Sequence, residues 1–123
     1  MGKKVLVVDD EIDITLLIKE GLELKGFHIE SYNDPQVALK EFKPGFYDLM
    51  LVDIRMTKLN GFDFYHEVRK SDINVKVCFI TAFAISYEEI SKTLPPELVT
   101  RQNIIQKPIG IKELANKINE ILY

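Results

Sequence analysis

The sequence predicts a single α/β domain built on a parallel sheet with helices on both faces. Short runs rich in β-branched residues alternate with segments of helical period, and no repeat or low-complexity stretch interrupts them. The first run, Val5–Val8, is apolar from end to end, as a strand covered on both faces is. The 123 residues fit one domain, 1–123, long enough to bury a core without disulfide staples.

Val5–Val8 is the first strand. From Glu11 to Lys25 the residues Ile14, Leu17, Ile18 and Leu22 form the stripe of an amphipathic helix, and Gly26 is placed to end it. Phe27–Ser31 is the second strand. Asn33-Asp34-Pro35 offers a cap followed by proline at a first helical position, so Pro35–Phe42 is a short helix stopped by Pro44-Gly45. Leu49–Asp53 is the third strand and ends in an acid. After the Asn60-Gly61 turn, Phe62–Lys70 is helical, and Val75–Thr81 is the fourth strand. Ser86 with Glu89 matches a capping box for a helix running towards Leu94, which Pro95-Pro96 must break. Asn103–Gln106 is a short fifth strand, and Ile111, Leu114, Ile118 and Ile121 stripe a C-terminal helix.

Composition excludes several classes of function. A net charge of −3, with no long run of Lys or Arg, argues against direct nucleic-acid binding or a charged membrane surface. Cys78 stands alone, which excludes a disulfide framework and a multi-thiolate metal site; it suits a reducing compartment and reads as a small buried hydrophobe. The start Met1-Gly2-Lys3-Lys4 has the basic flavour of a signal peptide, but the apolar run breaks at Asp9, and Leu6 stands where a myristoylation motif wants Ser or Thr. No stretch is long enough to span a membrane, so a cytoplasmic location is expected. His28 and His66 lack a neighbouring ligand at zinc spacing. Phe62, Phe64 and Tyr65 read as packing, since Asp63 and Glu67 beside them would repel a nucleic-acid backbone. No Gly-rich nucleotide loop occurs.

In a doubly wound sheet the ligand site lies beyond the carboxyl ends of the strands. The residues there are Asp9 and Asp10 after strand one, Asp53 on strand three, Thr81 on strand four and Lys107 after strand five. Each alone is an ordinary strand end; together they form a constellation. Three carboxylates with one lysine leave an excess of negative charge that favours a hard divalent cation, and Mg²⁺ takes one or two carboxylates while retaining waters. A carboxylate beside such an ion can attack phosphorus, with the metal and a lysine neutralising the transferring oxygens. Asp53, on a central strand, is the natural nucleophile, and Thr81 could donate to the phosphoryl group and move its loop.

These motifs, "VLVVDDE", "LMLVDIRMTKLNGFDF", "VCFITA" and "QKP", resemble in order and spacing the receiver domain of two-component response regulators of the chemotaxis-regulator kind, from about Lys4 to Leu122. The resemblance implies a five-stranded flavodoxin-like (βα)5 fold with strand order 2-1-3-4-5. It implies that Asp53 is the phosphoacceptor from a histidine kinase or histidine phosphotransfer protein. Asp10, Asp53 and the main-chain carbonyl of Arg55 would ligate Mg²⁺, with Asp9 acting through metal-bound water. Lys107 would contact the phosphoryl oxygens, Thr81 would be the switch hydroxyl, and small Ala82 would keep the acceptor open. Gly61 fits the turn closing the loop after Asp53, and Pro108 follows a peptide that is cis in family members. Such a switch is only marginally an enzyme, catalysing its own phosphoryl transfer and hydrolysis. It would be a monomer or a weak dimer through the fourth helix, fifth strand and fifth helix, with a downstream protein target.

Several positions depart from the family pattern. Thr57 stands where a proline is usual, which is expected to loosen the loop. Ile104 replaces the aromatic switch residue three positions before the lysine, and "LPPELVTRQN" replaces the usual turn before strand five. Arg55 and Phe83 flank the acceptor and, as a bulky pair, are expected to slow hydrolysis of the phosphoryl group. Two other readings compete. A haloacid-dehalogenase-type phosphohydrolase needs a second Asp two residues after the nucleophile, where this chain has Glu11 or Arg55. A phosphorylation-independent, receiver-like interaction module draws support from Thr57 and Ile104, but retention of all five site residues argues against it.

Overall fold

The computed structural model describes residues 2–82, 87–100 and 103–123. The strands β1 (Lys4–Val8), β2 (His28–Tyr32), β3 (Leu49–Asp53), β4 (Lys76–Thr81) and β5 (Ile104–Gln106) form one parallel sheet in the order β2-β1-β3-β4-β5. Between them run α1 (Ile12–Leu24), α2 (Pro35–Glu41), α3 (Gly61–Arg69), the single turn α4 (Tyr87–Ile90), a 3₁₀ turn (Pro96–Leu98) and α5 (Ile111–Leu122). The strand order is the expected one, and β3 matches its expected bounds to the residue.

Side chains alternate across each strand, which divides the core into two layers. Leu6, Val8, Met50, Val52, Val77 and Phe79 pack with Ala38 of α2 and with Phe64, Tyr65 and Val68 of α3. Val5, Val7, Leu49, Leu51, Cys78 and Ile80 face the other way, against Ile18 and Leu22 of α1 and Leu114, Ala115 and Ile118 of α5. Full burial of each large apolar side chain contributes about 1.5–3 kcal/mol. Cys78 lies inside this second layer, and burial pushes its thiol up to about 12.

Local chemistry accounts for most element ends. Asp34 caps α2 by accepting from the N–H groups of Gln36 and Val37, with Pro35 following at the first position. Asn60 caps α3 by accepting from Asp63 N–H at 2.9 Å. Gly26, with φ of 96°, turns the chain out of α1 as expected. Two expectations need correction. The buried face of α1 is Thr15, Ile18 and Leu22, and Leu17 is 62% exposed. It sits one position, about 100° of helix rotation, from Ile18 and so points away from the core. The fourth helix is also shorter than expected: the regular helix ends at Ile90, and turns bonded back to Glu89 and Ile90 continue to Leu94, where Pro95-Pro96 supply no N–H to prolong them. Its expected cap, Ser86, lies outside the described residues. Among the described residues no helix is long and apolar enough to cross a membrane.

Candidate functional site

The parallel register brings the strand ends level. Val8 pairs with Val52, so Asp9 falls beside Asp53; Asp53 pairs with Ile80, so Thr81 stands one residue beyond it. Asp9, Asp53 and Thr81 are buried. One carboxylate oxygen from each of Asp9, Asp10 and Asp53 lies within 4.8 Å of the other two. Lys107 enters from the β5–α5 connection, with its Nζ 2.7 Å from Asp9 Oδ2, 3.3 Å from Glu11 Oε1 and 3.6 Å from Asp53 Oδ2. Its backbone N–H donates to the Thr81 carbonyl at 2.7 Å, and the Lys107–Pro108 peptide is cis. The five strand-end residues singled out from the sequence therefore converge on one end of the sheet.

Main-chain donors orient the acids. Asp9 Oδ1 accepts from Glu11 N–H at 3.0 Å, and Asp53 Oδ1 accepts from Arg55 N–H at 3.2 Å. Gly61 closes the loop after Asp53, its N–H donating to the Ile54 carbonyl. A Cβ at position 61 would clash with the Asp53 carbonyl oxygen, far inside van der Waals contact, so no other residue fits without backbone movement.

Electrostatics makes the site a receptor for positive charge. Burial first, and then the charge of Asp9, push Asp53 up to about 7, while Lys107 and the Arg55 N–H work the other way. Burial works to lower the Lys107 pKa, but its hydrogen bond to Asp9 and the charges of Asp9 and Asp53 outweigh this and raise it, so the ammonium persists. One ammonium does not balance the carboxylates of Asp9, Asp10, Asp53 and Glu11. A hard oxygen donor set with surplus negative charge fits a divalent cation such as Mg²⁺.

Residues 5–119 match the model of the response regulator receiver domain. The chain belongs to this family. The receiver is 39% identical over 119 residues to the CpxR homolog, a transcriptional regulatory protein of Haemophilus influenzae, covering 97% of this chain and 50% of that protein. It is 31% identical to the alkaline phosphatase synthesis transcriptional regulatory protein PhoP of Bacillus subtilis, covering 99% of this chain and 49% of that protein. It thus spans about half the length of these transcriptional regulators. Among solved structures, the response regulator TrrA of Thermotoga maritima in complex with Mg²⁺-BeF superimposes with a TM-score of 0.80 at 32% identity, covering 98% of this chain and 99% of that one. The chemotaxis protein CheY4 of Vibrio cholerae shares the fold, with a TM-score of 0.83 at 22% identity and coverage of 99% and 100%.

The receiver also uses residues that the sequence did not single out. Thr15, buried on α1, donates from its hydroxyl to the carbonyls of Asp9 and Glu11, and Asn33 Nδ2 reaches both the Asp9 carbonyl and Thr15 Oγ1 at 2.9 Å. A threonine within a helical stripe and an asparagine before a cap look like ordinary local chemistry, and only the fold brings them beneath the acid pair. Thr57, expected to loosen its loop, donates its N–H to Asp10 Oδ2 at 3.1 Å. Next to it, Lys58 Nζ is 2.5 Å from Asp34 Oδ2. Glu11 does more than begin α1, because its carboxylate joins the Lys107 cluster. Arg55 is exposed and Ile104 is buried in β5, while Phe83 lies outside the described residues.

Proposed function

We propose that this receiver is a phosphorylation-activated switch, cytoplasmic and working as one unit over 1–123, in which Asp53 accepts a phosphoryl group from a phosphohistidine of a histidine kinase or phosphotransfer protein. The observation that carries the reading is the placement of Asp53 at the end of a central strand, with Lys107 Nζ 3.6 Å away and two further acids beside it. An Asp53 carboxylate oxygen attacks phosphorus, the aspartyl O–P bond forms, the P–N bond breaks, and its electron pair returns to the imidazole nitrogen. Asp10, Asp53 and the Arg55 main-chain carbonyl would hold Mg²⁺, which when bound offsets charge on the transferring oxygens. Both Asp9 oxygens already accept protein donors, from Glu11 N–H and Lys107, which favours an indirect role for Asp9 through metal-bound water. Lys107 would turn from Asp53 to a phosphoryl oxygen, and the Thr81 hydroxyl would donate to another. Thr81 and Lys107 are joined through their main chains, so that movement would pass to β5 and α5, the face proposed for a target or a weak dimer.

Incubation with acetyl phosphate and Mg²⁺, followed by intact-mass measurement, tests this reading. A phosphate adduct is expected on the wild type and not on Asp53→Asn. Absence of an adduct under any phosphodonor would favour the phosphorylation-independent binding module.

A further inference from the structure

We infer that the backbone N–H of Thr57 is a positioning group for the metal ligand Asp10, a role that rests on the Mg²⁺ site proposed above. The Asp10 carboxylate is only partly buried and lies in the β1–α1 connection. Thr57 belongs to a different loop, the one after β3, and its N–H fixes one Asp10 oxygen at 3.1 Å. The following residue adds a second tie from the same loop, Lys58 to Asp34 at the start of α2. Residues 57 and 58 thus clasp the connections after β1 and β2 to the loop that follows Asp53.

A fixed carboxylate loses less rotational freedom when it binds a cation, so the N–H lowers the Mg²⁺ concentration needed for half-saturation. Proline cannot make this bond, because it has no N–H. The side chain of Thr57 is exposed and takes no part in this bond, so the contribution belongs to the main chain at this position.

The test compares wild type, Thr57→Ala and Thr57→Pro by calorimetric titration of the unphosphorylated proteins with Mg²⁺, with urea unfolding in EDTA as a check on the fold. Thr57→Ala keeps the N–H and is expected to bind like the wild type. Thr57→Pro is expected to bind about tenfold more weakly, the low end of what loss of a ligand-orienting partner costs. In acetyl phosphate labelling it should need correspondingly more Mg²⁺ for half-maximal rate, while the rate at saturating Mg²⁺ stays unchanged. Equal or tighter binding by Thr57→Pro overturns the inference, and so does a loss shared equally by Thr57→Ala. Absence of Mg²⁺ binding by the wild type counts instead against the proposed metal site and removes this inference with it.

Discussion

Asp53 is an acid held where its ionised form is disfavoured, by burial and by the neighbouring Asp9 carboxylate. The opposing Lys107 is closer to Asp9, at 2.7 Å, than to Asp53, at 3.6 Å, so its charge is spent mainly on the other acid. Replacing Asp53 by Asn removes one of the repelling charges and leaves the Asp9–Lys107 pair intact. Asp53→Asn is therefore expected to be more stable than the wild type without metal, by on the order of 1 kcal/mol, in urea unfolding at slightly alkaline pH with EDTA present. Adding Mg²⁺ should stabilise the wild type more than the variant, because a ligand stabilises only the state that binds it. A variant less stable than the wild type in EDTA would mean that attraction to Lys107 outweighs the repulsion. The acids of this site were legible in the sequence because each ends an apolar run. Their supports were not: Asn33 and the Thr57 N–H become neighbours of the acids only after β1, β2 and β3 have paired, and Thr15 only when the first turn of α1 brings it back under Asp9.

At the scale of elements, the turn from α3 into β4 hangs on one buried side chain. Asp72 accepts from the N–H groups of Asn74 at 2.9 Å and Val75 at 3.0 Å with one oxygen, and from Gly45 at 2.8 Å with the other. Burial works to raise its pKa, but these three donors, together with the Arg69 charge, outweigh it and hold the carboxyl below its ordinary value of 3.8. An acid whose pKa is lowered by folding binds its proton more readily when unfolded. Its stabilisation is therefore fully present above the ordinary value and is lost as pH falls through the lower folded one. Asp72→Asn turns an NH₂ towards one set of donors, and is expected to cost about 2 kcal/mol near neutral pH in urea unfolding. Its acid limb should also be flatter than that of the wild type; an unchanged limb would assign acid unfolding to other carboxylates. The central strands β1, β3 and β4 were readable because each holds an unbroken apolar run. The fourth helix was less so, since a capping box and a short apolar pattern promise several turns while the double proline withdraws the N–H groups that would extend them. Helical period placed α1 and three of its four striped residues, Ile14, Ile18 and Leu22, but not the edge of the stripe: Leu16 and Leu17 are as apolar as Ile18, yet of these three only Ile18 meets the sheet.

Across the whole molecule, the solvent-facing side of α1 leaves Ile12, Leu16 and Leu17 more than half exposed at 62%, 52% and 62%. Leu17 also lines an apolar groove of about 370 Å³ between α1 and the β5–α5 connection, together with Ile14, Pro108, Ile109 and Ile111. Lys107 stands in the wall of the same groove, so a protein seated there would lie beside Asp53, the proposed phosphoacceptor. Under the proposed function, a small phosphodonor would need only the acid site, whereas a phosphohistidine protein would also have to hold its imidazole in line with Asp53, a hold that an apolar seat next to Lys107 would supply. Leu17→Ser removes apolar surface without adding charge to the acid cluster, and at an exposed position it is expected to change stability by no more than about 0.5 kcal/mol. Labelling by acetyl phosphate should be unaffected. Transfer from a phosphohistidine protein that labels the wild type should fall about tenfold at subsaturating concentration, equivalent to ~1.4 kcal/mol of lost docking. An equal loss with both donors would place the effect in the acid site, and no loss with either would mean that the donor approaches Asp53 from another side.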